Sequence, residues 1–341
     1  MTGGTGLPSL RKLGIVALGL CACSSPAGTE VPIPNGKPGI GFDDLRYSRS
    51  LGRVLVPGGR SGVLALIEPE TAQVSVVRGF SVTAGFDGGH DDGVTSVDEG
   101  RGLLFATDRT AQTVSVVDPS RLSIVASAPL GARPDYIRYV AATDELWVTE
   151  PGAGRIEIFA LEGDPPTPRS VASISMANGP ESLVIDASRG RAYTHRWQAA
   201  TLAIDVRTRD VVAEWPNGCA ASRGIDVDPV QGFVLASCSE GTASVLDAER
   251  EGRILSTLAR GAGFDVLGFD ANRRHLYLAG SACACLTVLG VSSQGELSFL
   301  GRMDAPGDTH CAVADDRGNV WVCDPGAGAV RRVRDSFAGT P

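Results

Sequence analysis

Residues 147–154 read WVTEPGAG and residues 321–328 read WVCDPGAG, so two stretches far apart in the chain differ at only two positions. Looser copies lie between and before them: DEGRGLLFATD, DASRGRAYTHR, DPVQGFVLASC and DANRRHLYLAG, with SLGRVLVPG the earliest. Each copy sets a Gly- or Asp-marked turn ahead of a short apolar strand. The apolar anchors Leu55, Phe105, Trp147, Tyr193, Leu235, Tyr277 and Trp321 are 50, 42, 46, 42, 42 and 44 residues apart. A four-stranded propeller blade repeats at that period. The predicted fold is therefore all-β, a seven-bladed β-propeller of four-stranded antiparallel blades over residues 39–337, with 338–341 as a tail.

Turn residues divide each repeat into short strands A to D, and helix signals are nearly absent. In the second repeat the expected strands are Val94 to Asp98, Leu103 to Thr107, Thr113 to Asp118 and Leu122 to Ala128. Strand C reads TVSVVD, RIEIFA, TLAIDV and TASVLD in successive repeats, all rich in residues that suit a pleated, half-buried surface. A lone blade leaves both faces exposed, so neighbours must stack into a ring. The seventh repeat supplies only A (His310 to Asp315), B (Asn319 to Cys323) and C (Ala329 to Arg334). The missing strand is expected from Thr29 to Lys37, TEVPIPNGK, whose prolines are tolerable on an outer edge. A disordered tether is the alternative reading of the same residues.

FATDRTAQTVSVVDP and WVTEPGAGRIEIF resemble the YVTN-type repeat family of seven-bladed β-propellers, and the resemblance covers residues 42 to 334. It implies the fold and an exported binding protein, with no shared catalytic residues. The chain departs from the family at the Asn of the motif, replaced by Asp108, Glu150, Arg196, Cys238 and Asp324.

The N-terminal residues are expected to form an export signal. Arg11 and Lys12 precede the apolar run Leu13 to Leu20, and Leu20-Cys21-Ala22-Cys23 resembles a lipobox. The run is too short to span a bilayer, which takes about 20 residues. Residues 1–22 are thus expected to be a lipoprotein-type signal peptide, Cys23 the lipidated residue, and 23–38 a tether that includes the closing edge strand. With Ser24 rather than Asp after Cys23, the resemblance to sorted lipoproteins implies an outer-membrane or cell-surface lipoprotein facing periplasm or exterior. Ordinary secretion, and lipidation at Cys21, are the alternatives.

Six further cysteines, an even number, agree with an oxidising compartment. All fall on the rim formed by the D-to-A loops and B-to-C turns of blades five to seven. Cys311 and Cys323 lie symmetrically about the Asp316-Arg317-Gly318 turn, so antiparallel pairing sets them within disulfide reach. Cys219 and Cys238 make a second bridge. Cys283 and Cys285 are left over, either paired differently or free. A competing assignment makes Cys283, Cys285 and His310, with His90 and His195 on the same rim, a Zn or Cu site. Metal motifs with fixed spacing are absent, so the primary expectation is no cofactor. His275, on the other face, reads as a surface residue.

Strand A begins at the central channel, where the repeats place Asp43, Gly93, Asp135, Glu181, Arg223, Asp265 and Thr309. With Asp44, His90, Asp91, Asp92, Asp308 and His310 this gives an acidic mouth that draws cations or basic groups and repels polyanions. Asp at a strand start also serves simply to bind turn amides. The long first interval leaves an insertion, Gly79 to Gly93, arching over the mouth and offering Phe86, His90, Asp91 and Asp92. Trp197 adds an aromatic side chain on the same rim, or else packs between blades.

The net charge is -8, and removing Arg11 and Lys12 with the signal makes it -10. That excludes nucleic acid, whose binding needs a basic footprint. Three function classes remain. The first is a monomeric, lipid-anchored, non-catalytic binding protein whose partner is an unknown protein or small-molecule ligand. The second is a lactonase-like or metal-dependent hydrolase, for which Glu181, Asp265 and His310 offer acid-base or metal chemistry. The third is a metal-handling or redox partner protein.

Overall fold

The computed structural model describes residues 1–4, 28–198 and 200–340. Cys21, Cys23 and most of the expected signal peptide and tether lie outside the described residues. The described chain forms seven four-stranded antiparallel sheets, each closed in sequence order from its inner to its outer strand except the last. Blade two shows the ruler: Val94–Gly100, Leu103–Asp108, Thr113–Asp118 and Ser123–Pro129. Expected and observed strands agree to within a residue or two, the usual uncertainty at strand ends. Among the described residues the helical content is a single 3-10 turn, Pro151–Ala153. Among the described residues no helix is long and apolar enough to cross a membrane.

The repeat exists because its residues do two local jobs. The Asp ending strand A accepts turn amides with one carboxylate oxygen: Asp186 from Ser188 and Arg189, Asp228 from Val230 and Gln231, Asp270 from Asn272 and Arg273. This Asx geometry closes the A–B turn. The turn then needs a left-handed residue, supplied by Gly232 at φ 74° and Gly318 at φ 76°. The second job belongs to the apolar anchors. All seven are at most 1% exposed, so each fills the wedge between its blade and a neighbour. The two tryptophans keep their indole N–H groups satisfied, Trp147 on Glu145 and Trp321 on Asp315.

Blade seven is completed by the N-terminus. Strand Thr29–Pro32 pairs antiparallel with Ala329–Arg334, Val31 opposite Val330. Val31 and Ile33 are buried at 3% exposure, and Glu30 pairs with Arg331 at 2.9 Å. Pro32 sits at the end of this outermost strand, where no further ladder partner is needed.

His275 is not a surface residue. It is fully buried, with Nδ1 2.7 Å from Asp335 and Nε2 2.9 Å from the Ala338 carbonyl, while Tyr277 donates to the same Asp335 carboxylate at 2.6 Å. The segment after the last strand folds back over blade six and supplies these partners, Asp335 from within the expected propeller range and Ala338 from the expected tail. Thr340 N–H donates to the Arg273 carbonyl at 3.0 Å. Sequence spacing carries no sign of such a return.

Candidate functional site: the upper channel mouth

The D-to-A loops and B-to-C turns meet around one end of the channel and enclose a cavity of about 620 Å³. Asp43, His90, Asp135, Glu181, Trp197, Arg223 and Asp265 all line it. Asp92 does not: it turns to a smaller pocket under the long loop, 3.4 Å from the Thr110 hydroxyl. Phe86 lines that smaller pocket too, where it packs on Gly39; a Cβ there would collide with its ring. His195 is excluded as a rim ligand. It is fully buried, with Nδ1 2.9 Å from the Thr201 hydroxyl and Nε2 3.3 Å from the Gly224 carbonyl. Burial lowers its pKa from 6.5 to about 4, so the ring is neutral.

The mouth is less acidic than residue types alone imply, because Arg109 occupies its wall. Arg109 is 5% exposed and donates to Asp43 at 2.9 Å, to Asp135, to the Pro134 carbonyl at 2.9 Å and to the His90 carbonyl at 2.6 Å. The Tyr136 hydroxyl also reaches Asp43, at 3.1 Å, and His90 Nδ1 lies 3.3 Å from it. Burial alone would push Asp43 up, but His90 and Arg109 outweigh it and hold the carboxyl far below its ordinary value. Asp43 in return raises His90 to about 9, against the opposing effect of burial. Asp135 moves the other way, up to about 7, since burial and the nearby Asp43 outweigh the shared guanidinium.

Tyr136 forms the waist of the channel, lining this cavity and a second of about 500 Å³ at the opposite mouth. Successive residues serve the two ends. Asp43 faces up to Arg109, while Asp44 faces down and binds Arg138 through both oxygens, at 2.6 and 3.0 Å.

Glu181 and Asp265 differ from these spent carboxylates. Among the described residues the Glu181 carboxylate accepts one hydrogen bond, from the Trp197 indole N–H at 2.7 Å, and Trp197 is 39% exposed. Among the described residues no hydrogen bond or ion pair reaches the Asp265 carboxylate; its backbone carbonyl is held by Ser237. Burial raises both carboxyls, Glu181 strongly with help from Asp135 and Asp265. Two carboxylates thus face the cavity with acceptor capacity unused, beside an exposed indole and the Arg223 side chain.

Sequence reasoning missed Arg109, Tyr136 and Arg133. Arg109 follows strand B directly, as Trp197 does two blades later, so the position that singled out Trp197 was the available signal. Arg133 pairs with Asp91 at 3.3 Å across the rim.

Of the two expected bridges one forms and one does not. Cys219 and Cys238 are bonded, and so are Cys283 and Cys285. Cys283 and Cys285 are therefore not available as thiolate ligands beside His310. The expected Cys311–Cys323 bridge is absent, and both are buried free thiols. The register does set them opposite one another, with the Cys323 N–H donating to the Cys311 carbonyl at 3.2 Å. The Cys323 sulfur instead accepts the amide N–H groups of His310 and Cys311, at 3.3 and 3.2 Å. His310 holds the Asp308 carbonyl at 2.6 Å through Nδ1 and the Phe42 carbonyl at 2.7 Å through Nε2. It stands beside His90, ring centroids 6.0 Å apart.

No family model and no curated protein matches the chain. Solved structures similar to it include a chain of a mitotic checkpoint complex, at TM-score 0.72 and 14% identity over 97% of this chain and 99% of that one. A chain of Kuenenia stuttgartiensis hydrazine synthase gives 0.69 and 13%, over 88% and 96%. The β-propeller domain of Myceliophteria thermophila Cps50 (Swd1) gives 0.71 and 11%, over 89% and 99%. At these identities the likeness is one of fold.

Proposed function

We propose that this seven-bladed β-propeller is a YVTN-type, exported, lipid-anchored binding protein. Its upper channel mouth takes a ligand, or a segment of a protein partner, that presents hydrogen-bond donors or positive charge. The observation that carries the reading is the pair of cavity-facing carboxylates, Glu181 and Asp265, which among the described residues form no direct ion pair, although Arg223 acts on both from a distance, beside the exposed Trp197. A buried carboxylate without a partner is costly, and a donor from a ligand relieves that cost. Fold likeness adds only that propellers of this shape occur in a mitotic checkpoint complex and in a hydrazine synthase. Among the described residues no nucleophile, base and orienting group stand together at the mouth in hydrogen-bonded sequence, and the reading as a binding protein rests on that.

Trp197 makes the test direct, because its indole bonds to one of the two carboxylates. Full-length protein is titrated with arginine methyl ester and with a short Arg/Lys peptide while indole fluorescence is followed. Saturable change in the wild type that disappears in Glu181→Gln/Asp265→Asn supports the reading. Identical titrations of the two proteins refute it. The anchor is tested separately by growth with labelled palmitate: label is expected in the wild type and lost in Cys23→Ser.

A further inference from the structure

We propose that His310, Cys311 and Cys323 form a binding site for a thiophilic d10 cation, Zn²⁺ or Cu⁺, in the wall of blade seven. One nitrogen of His310 and the two sulfurs lie within 4.8 Å of one another, and the two cysteines are fully buried. Two thiolates and an imidazole are the ligand types both ions prefer, and three such ligands suffice for Cu⁺ or leave Zn²⁺ a fourth position.

Three features distinguish this cluster from a chance meeting of cysteines. The register of strands Ala312–Ala314 and Asn319–Asp324 fixes Cys311 and Cys323 as opposed residues, so both sulfurs come from a rigid hairpin. The Cys323 sulfur accepts two backbone N–H groups, at 3.3 and 3.2 Å, the outer contacts that stabilise a metal-bound thiolate. His310 Nε2 donates to the Phe42 carbonyl at 2.7 Å, which orients the ring and turns Nδ1 toward Cys323, 4.0 Å away. A ligating histidine commonly donates its other N–H to a carbonyl in this way. In the metal-free arrangement Nδ1 bonds to the Asp308 carbonyl instead. Loading releases to solvent the Nδ1 proton that makes that contact together with the thiol protons, and the ion takes their place.

Consequences follow for architecture as well as chemistry. Cys311, Cys323 and Phe42 belong to the apolar cluster joining blade seven to the N-terminal segment and blade one. An ion held there fastens the hairpin beside the place where the ring closes.

The experiment uses full-length protein carrying Cys21→Ser and Cys23→Ser, with the Cys219–Cys238 and Cys283–Cys285 bridges left oxidised, so that no other thiol competes with Cys311 and Cys323. Zn²⁺, Co²⁺ and Cu⁺ buffered by a competing chelator are added in turn. One equivalent is expected to bind, with thiolate-to-cobalt charge-transfer absorption for Co²⁺ and protection of Cys311 and Cys323 from alkylation. Adding Cys323→Ser is expected to abolish the charge-transfer band while circular dichroism stays that of a β-propeller. The relative grip on Zn²⁺ and Cu⁺ identifies the preferred ion. Absence of stoichiometric uptake, or uptake unchanged in the Cys323→Ser variant, overturns the proposal. If Cys323→Ser does not fold, the alkylation pattern of the parent with and without Zn²⁺ decides: no protection overturns it.

Discussion

Acidification is expected to destabilise this protein partly through one buried histidine. His195 is sealed between blades four and five, and in the folded state its pKa falls from 6.5 to about 4 because burial disfavours the cation. The unfolded chain takes up a proton in that window and the folded chain does not. Stability from this residue is therefore fully present above pH 6.5 and is lost as pH falls toward 4. At about 1.4 kcal/mol per pKa unit the complete effect is about 3 kcal/mol, of which about 1.4 is lost near pH 5.5 and about 2.5 near pH 4.5. Other carboxyls titrate in the same range, so the measurement is a difference. Urea unfolding of wild type and His195→Gln is followed at several pH values between neutrality and about 4.5. Gln keeps a donor for the Gly224 carbonyl but carries no titrating proton. The stability gap between the two proteins is expected to shift by about 2.5 kcal/mol across the range. A constant gap would show that His195 is not held neutral, and the reasoning from burial would fail.

Truncating the closing strand with Val31→Ala/Ile33→Ala removes two buried side chains from the seam and should cost about 4 kcal/mol in urea unfolding, whereas the same change at an exposed valine such as Val230 should cost little. Replacing Arg109 by Met leaves Asp43 and Asp135 buried without their shared cation, with an expected loss of about 3 to 5 kcal/mol. Asp135→Asn added to that variant should recover part of the loss, and no recovery would contradict the charge argument. Cys219→Ser/Cys238→Ser opens a bridge of sequence separation 19 and should lower stability by about 3 kcal/mol, read from the unfolding midpoint under non-reducing conditions.

Much of the architecture was legible because its causes are local. A large apolar anchor recurs in each blade, a turn Asp in blades four to seven and a left-handed Gly in most A–B turns, and each acts within a few residues of its own position. The missing fourth strand of blade seven could be sought in the N-terminus because a strand count leaves a gap. The site was legible only in outline. Strand starts named Asp43, Asp135, Glu181, Arg223 and Asp265 as neighbours, yet nothing in their spacing said which would be neutralised.

The amino-acid sequence by itself determined the number of blades, the place of each strand and the end of the ring at which polar residues gather, since these follow from a repeating pattern of short-range preferences. Tertiary structure alone decided the chemistry of that end. Arg109 is 66 residues from Asp43 and 26 from Asp135, and only the closed ring sets one guanidinium between both, leaving Glu181 and Asp265 unspent. The same holds for the thiols and for His275: whether a sulfur meets another sulfur or a backbone amide, and whether a histidine meets water or Asp335, depends on side-chain direction and on the path of a distant segment. Charge and hydrogen-bond partnership are pairwise properties of space, and repeat periodicity carries no record of them.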